Sequence, residues 1–136
     1  MEITKALVAD YANVAEGGKL NVLGIFTTIF AAGFPTVHPS MQLIFMWEAS
    51  KVEAGRKKQI EIQLCDADGK KVLSIGGEFQ LPDGISGKRI YGNQILNLNH
   101  VKFEKAGEYV FNILINDEHK AEAPFEVIPI PSKGQA

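Results

Sequence analysis

The chain has 136 residues, 46% of them hydrophobic and 22% charged, enough for one domain that buries roughly two-thirds of its unfolded surface without metal or disulfide staples. Its formal net charge of −2 excludes nucleic-acid binding driven by phosphate neutralisation, and its single cysteine, Cys65, excludes an internal disulfide framework.

In chain order the first residues, Met1 to Lys5, lack the basic, apolar and small-residue succession of a signal peptide, so the expected compartment is the cytoplasm. A strand is predicted over 3–14 and a turn at Glu16-Gly17-Gly18, followed by a second strand over 19–30. From Leu20 to Trp47 there is no Asp, Glu, Lys or Arg. Asn21, Thr27, Thr28, His38 and Gln42 interrupt that stretch and Pro35 and Pro39 break it, which leaves two strand-like runs and no membrane-spanning helix. A loop over 31–40 and a strand over 41–49 follow, then a loop from Ala49 to Lys58, where Gly55 and the lack of apolar residues argue against a helix. Ile60, Ile62 and Leu64 alternate with Glu61, Gln63 and Cys65, and Tyr109, Phe111, Ile113 and Ile115 alternate with Val110, Asn112, Leu114 and Asn116. A period of two marks strands with one face in a core, predicted over 58–66, 70–80, 90–101, 108–116 and 119–128. Pro124 cannot donate to a ladder and belongs at a sheet edge or bulge. With no helices to cover a parallel sheet, this order predicts an all-β, immunoglobulin-like antiparallel β-sandwich of about 7–9 strands. It forms a single domain over 1–131 with a frayed tail over 132–136.

Two segments carry resemblances. Glu104-Lys105-Ala106-Gly107-Glu108-Tyr109-Val110-Phe111 resembles the late strand of immunoglobulin-like domains, in which the Tyr hydroxyl ties the preceding corner. The paired core cysteines of those domains are absent, since Cys65 stands alone. The N-terminal pattern Leu7-Val8-Ala9-Asp10-Tyr11, Gly18 to Phe26 and Phe34-Pro35-Thr36-Val37-His38-Pro39 resembles an uncharacterised bacterial family of small single-domain β-sandwich proteins, over nearly the whole chain. That resemblance implies a fold and carries no activity, cofactor or catalytic residue.

Each catalytic or binding motif has a plainer reading. Asp66-Ala67-Asp68-Gly69 starts like a calcium loop, but its Gly comes fourth and Gly77 stands where a closing Glu is needed, so a hairpin turn is expected. Gly84-Ile85-Ser86-Gly87-Lys88-Arg89 has too few residues between its glycines for a phosphate loop and precedes a strand. His38, His100 and His119 have no partner at metal-ligand spacing. Cys65, inside a strand, reads as a structural thiol. Arg56-Lys57-Lys58 is flanked by Glu48, Glu53 and Glu61 and has no interleaved aromatic. The expectation is therefore a non-enzymatic protein with no catalytic, cofactor or metal residues, no cofactor, and no nucleic-acid or membrane partner.

The charge distribution points elsewhere. Residues 1–47 hold Glu2, Lys5, Asp10, Glu16 and Lys19, and the remaining 89 residues hold the other 25 of 30 charges. In 20–30, Leu20, Val22, Phe26 and Phe30 oppose Leu23, Ile25 and Ile29, and in 41–49, Met41, Leu43, Phe45 and Trp47 oppose Ile44 and Met46. Strands apolar on both faces are covered on both. Either the loop 31–40 folds over one of them, or Leu23, Ile25, Ile29, Ile44 and Met46 form an interface. The second reading predicts a structural or adaptor module that binds a protein partner or self-associates into a homo-oligomer. A ligand-binding module, such as one for carbohydrate, and a small hydrolase with a site assembled only in space are the alternatives.

Overall fold

Strands that alternate apolar and polar residues hide one face each, so they bury their apolar faces only when two sheets meet. A computed structural model of the chain describes residues 1–85 and 87–131. It contains strands β1 (Glu2–Val14), β2 (Leu20–Ile25), β3 (Thr28–Ala31), β4 (Thr36–Ala49), β5 (Lys57–Asp66), β6 (Lys71–Gln80), β7 (Ile90–Phe103), β8 (Gly107–Ile115) and β9 (Glu118–Pro129). They form an all-β sandwich of two sheets, ordered β2-β1-β4-β7 and β3-β9-β8-β5-β6. Every pairing is antiparallel except β3 with β9. The tail expected over 132–136 lies outside the described residues.

The segment 19–30, expected as one strand, is two. β2 pairs with β1, the Phe26 N–H donates to the Val8 carbonyl, and at Thr27 the chain crosses to the other sheet, where the Thr27 carbonyl accepts from the Glu126 N–H. The loop expected over 31–40 is shorter than predicted, because β4 already begins at Thr36. Pro39 is accommodated where the β4–β7 pairing is interrupted with its register unchanged, between the His38–Val101 and Ser40–Asn99 pairs, and His100 opposite it has φ 55°. Pro124 pairs with Val110 on one side, and β3 covers β9 only from Glu126 onward, so Pro124 sits on a stretch of β9 that is still an edge. The loop expected over 49–58 holds one short 3₁₀ turn, Lys51–Glu53.

The core between the sheets is aromatic at its centre. Phe103 meets Tyr109 edge-on at 4.8 Å and Phe125 at 5.9 Å, and Phe111 stacks on Phe125 at 5.6 Å. Each such side chain contributes on the order of 2–3 kcal/mol by burial, with a further increment from ring geometry. Tyr109 keeps its polar end satisfied: its hydroxyl donates to the Lys105 carbonyl at 2.6 Å, closing the corner into β8. Burial raises the phenol's pKa and holds it as a donor.

An ion triad pins the chain start to the 3₁₀ turn. The Met1 ammonium donates to Glu53 Oε1 at 2.6 Å, Lys58 Nζ does so at 2.9 Å, and the Ser50 N–H donates to Oε2. Burial alone would raise the Glu53 pKa, but the hydrogen bonds from Met1, Lys58 and Ser50 prevail and lower it from the ordinary 4.5 to about 2. A carboxylate with a lowered folded pKa stabilises above its unfolded value and loses that contribution as pH falls through the folded one. The stability gap between the wild type and Glu53→Gln is therefore expected to be constant above about pH 4.5 and to close between there and about pH 2. Urea melts across that range check this, and a gap that persists at pH 2 refutes it.

Candidate association surface

The outer face of a sandwich sheet is covered where the chain folds back onto it or where another molecule binds. β1 changes partner at Ala9: Glu2 to Ala9 pair with β4, and Ala9 to Val14 pair with β2. The β1–β2 hairpin thereby bends across the outer face of its sheet, and its tip reaches β7, where Asn93 Nδ2 donates to the Gly18 carbonyl at 3.3 Å. Gly17 and Gly18, at φ 83° and 78°, make the turn. Ala12, Leu20 and Val22 pack from the hairpin onto Leu7, Ala9, Ile44 and Ile95, forming a second, small apolar cluster.

This arrangement sorts the five predicted interface residues. Leu23 and Ile25 are 65% and 60% exposed on the outer side of the hairpin. Ile29 is only 5% exposed, because β3 belongs to the other sheet and turns it into the main core. Ile44 is 1% exposed, since the hairpin lies over it. Met46 is half-buried on the same outer face, opposite Lys5 on one neighbouring strand and Asn93 on the other. Ile29 and Ile44 are thus not free contact residues, while Met46 keeps part of its surface exposed. The cover over Ile44 is the 10–25 hairpin and not the loop 31–40. Tyr11, which the charge argument did not single out, faces Leu23 directly across the hairpin and is 50% exposed. Asn21 Nδ2 donates to Asn13 Oδ1 in the next pair, so the outward surface of the hairpin carries Tyr11, Leu23, Ile25, Asn13 and Asn21. The exposed Asp10 carboxylate lies against Gly24, between Leu23 and Ile25.

The chemical motifs fall in separate places. Asp66 Oδ1 accepts from the Asp68 and Lys70 N–H groups at 2.9 Å each, while Lys105 Nζ donates to Asp68 Oδ2 at 3.0 Å. Those carboxylates close a turn between β5 and β6, as expected for a hairpin. In the 84–89 loop Ser86 lies outside the described residues, and β7 follows directly. His38 packs against Phe26, His100 is exposed, and His119 Nε2 lies 3.0 Å from Asn112 Oδ1. Cys65 is buried and accepts a weak hydrogen bond from Asn112 Nδ2 at 3.7 Å. Among the described residues no three His, Cys, Asp or Glu side chains converge as metal ligands, and no helix is long and apolar enough to cross a membrane. A depression of about 560 Å³ on the outer face of the other sheet is lined by Thr27, Asp66, Glu108, Val110, Glu122 and Glu126, among others. Of its carboxylates, Glu122 meets His119 at 3.9 Å and Glu126 accepts from Thr28 Oγ1 at 3.3 Å. Trp47, which a carbohydrate platform would need exposed, is buried edge-on against Phe79.

The profile of a family described as "Family of unknown function (DUF6941)" matches residues 4–128. No curated protein matches the chain. Among solved structures, an alkylpurine DNA glycosylase of Pseudomonas fluorescens bound to DNA containing an abasic site analogue is 16% identical, with a TM-score of 0.49 over 93% of this chain and 30% of that one. A glycosyl hydrolase family 2 member from Bacteroides cellulosilyticus is 12% identical, with a TM-score of 0.36 over 68% of this chain and 14% of that one. The chain thus spans less than a third of the length of either protein.

Proposed function

We propose that this chain, which belongs to a family of unknown function (DUF6941), is a non-enzymatic structural or adaptor module that works by protein association, its first partner being a second copy of itself. The observation that carries this reading is the outward surface of the β1–β2 hairpin, where Tyr11, Leu23 and Ile25 are each at least half exposed, with the Asp10 carboxylate against Gly24 at their margin. An immunoglobulin-like reading of the sandwich is supported by the Tyr109 corner and by the order of the two sheets. A cytoplasmic setting suits a chain with one buried cysteine.

Covering the three side chains contributes on the order of 3–4 kcal/mol, at the lower limit of what association entropy costs. The hairpin face therefore supports a weak contact by itself. The test is the solution mass of the wild type and of Leu23→Lys/Ile25→Lys by light scattering over a concentration series. Self-association that weakens at least tenfold in the variant, at unchanged melting temperature, is expected. A wild type that stays monomeric throughout, or a variant that associates equally well, overturns the reading.

A further inference from the structure

We propose that the free edge of β7 pairs antiparallel with β7 of a second copy about a two-fold axis, joining two four-stranded sheets into one of eight strands. This rests on the self-association proposed above and names a different contact for it.

The argument starts from the four sheet edges, β2, β7, β3 and β6. An edge strand offers unpaired N–H and C=O groups, and proteins that stay monomeric blunt such edges with short strands, charge, proline or bulges. Three of the edges carry such protection. β2 has six residues, with Gly24 at φ 70° inside it, and β3 has only four. β6 carries Lys71 and Glu78 and the Gly76-Gly77 pair. β7 differs in every respect. It has fourteen residues and is regular from Ile90 to Asn99, with no charge and no proline in that stretch. Lys102, its one charged residue, comes after the left-handed His100. Among the described residues β7 pairs only with β4.

The composition of that stretch selects the occupant. A strand that pairs with its own copy about a two-fold sets every residue opposite a residue of the same stretch, and like charges directly opposite destabilise such a pair. A strand built for a foreign peptide has no reason to avoid charge, whereas one built for itself does. A register centred on Ile95, which pairs the free stretch from Tyr91 to Asn99, sets Ile95 against itself, Asn93 against Asn97 and Tyr91 against Asn99. Asn93 Nδ2 already donates to the Gly18 carbonyl and Asn97 Oδ1 accepts from Gln42, which leaves Asn93 Oδ1 to accept from the facing Asn97 Nδ2. The contact is isologous and closes at two chains, consuming the exposed edge.

The test combines sedimentation velocity over a concentration series with hydrogen exchange, on the full chain and on two double variants. Tyr91→Lys/Asn99→Lys sets lysines face to face across the proposed ladder, at two exposed positions whose side chains support neither core. A wild-type dimer is expected, with amides of Tyr91 to Asn99 exchanging more slowly as concentration rises. The dissociation constant of Tyr91→Lys/Asn99→Lys is expected to rise at least tenfold at unchanged melting temperature. If that variant dissociates while Leu23→Lys/Ile25→Lys does not, β7 is the contact and the hairpin reading fails. If only the hairpin variant dissociates, or β7 amides exchange at a rate independent of concentration, the β7 proposal is overturned and the hairpin reading stands. A monomer at every concentration overturns both.

Discussion

Replacing Gly92 with alanine is expected to cost about 3 kcal/mol or more of folding stability, although it adds a single methyl group. Gly92 pairs with Trp47 across the β4–β7 ladder, and the indole occupies the space where a side chain at 92 would begin. A Cβ there would sit 2.8 Å from Nε1 and closer still to two ring carbons, inside any real contact distance. The indole has little room to yield, because Trp47 is buried and is held edge-on by Phe79 at 5.4 Å. Nor is backbone freedom the issue, since Gly92 is not among the residues of positive φ. The methyl must therefore displace either β7 or the ring, and both movements open the core that a close-packed interior does not refill. Urea denaturation measures the loss. In a Trp47→Phe background the same Gly92→Ala change is expected to cost at least 1 kcal/mol less, because the smaller ring leaves room, and this double-mutant cycle isolates the contact. A Gly92→Ala variant as stable as the wild type would refute the account.

Gly92 also marks the limit of what the residues disclose in linear order. Period-two alternation at Ile60 to Leu64 and Tyr109 to Ile115 sufficed to name the buried faces of β5 and β8, because neighbouring residues on a strand must point to opposite sides. The Tyr109 corner and the Asp66 turn were legible for the same reason: both are made by residues within four positions of one another. Apart from the early start of β4 at Thr36, the departures concern which strand lies beside which. Leu20 to Phe30 reads as one apolar run, and nothing in its composition says that the chain changes sheet at Thr27, which is what carries Ile29 into the main core. The absence of charge on both faces of β4 did announce a cover on both sides. It did not say whether the cover was a loop, a hairpin or another molecule, because an apolar residue is buried equally well by any of them. Likewise the neutrality of Ile90 to Asn99 is plain in the sequence, but it acquires meaning only once β7 is known to be an edge.

Lysine substitutions at Ile44 and Ile25, two positions the sequence treats alike, are expected to have opposite outcomes. At Ile25, which is 60% exposed, lysine projects into water, and the change should fall within about 0.5 kcal/mol of neutral. At Ile44 the side chain is enclosed by Ala9 and Ala12 with Leu7, Leu20, Val22 and Ile95 around them, and none of these can accept a hydrogen bond through its side chain. An ammonium left there without a partner should cost about 3–5 kcal/mol, unless the hairpin lifts away to admit water. The hairpin is the weaker element, held on this face by the small cluster and the Asn93–Gly18 bond, so the lysine should release it before the two-sheet core gives way. Hydrogen exchange should then show faster exchange of the amides of residues 10–25 in Ile44→Lys, with β5 and β8 still protected. Ile25→Lys should leave all of these unchanged. If Ile44→Lys instead kept the hairpin protected and turned an oligomer into a stable monomer, the cover over that face would be a second chain, and the folding-back of the hairpin onto its own sheet would be wrong.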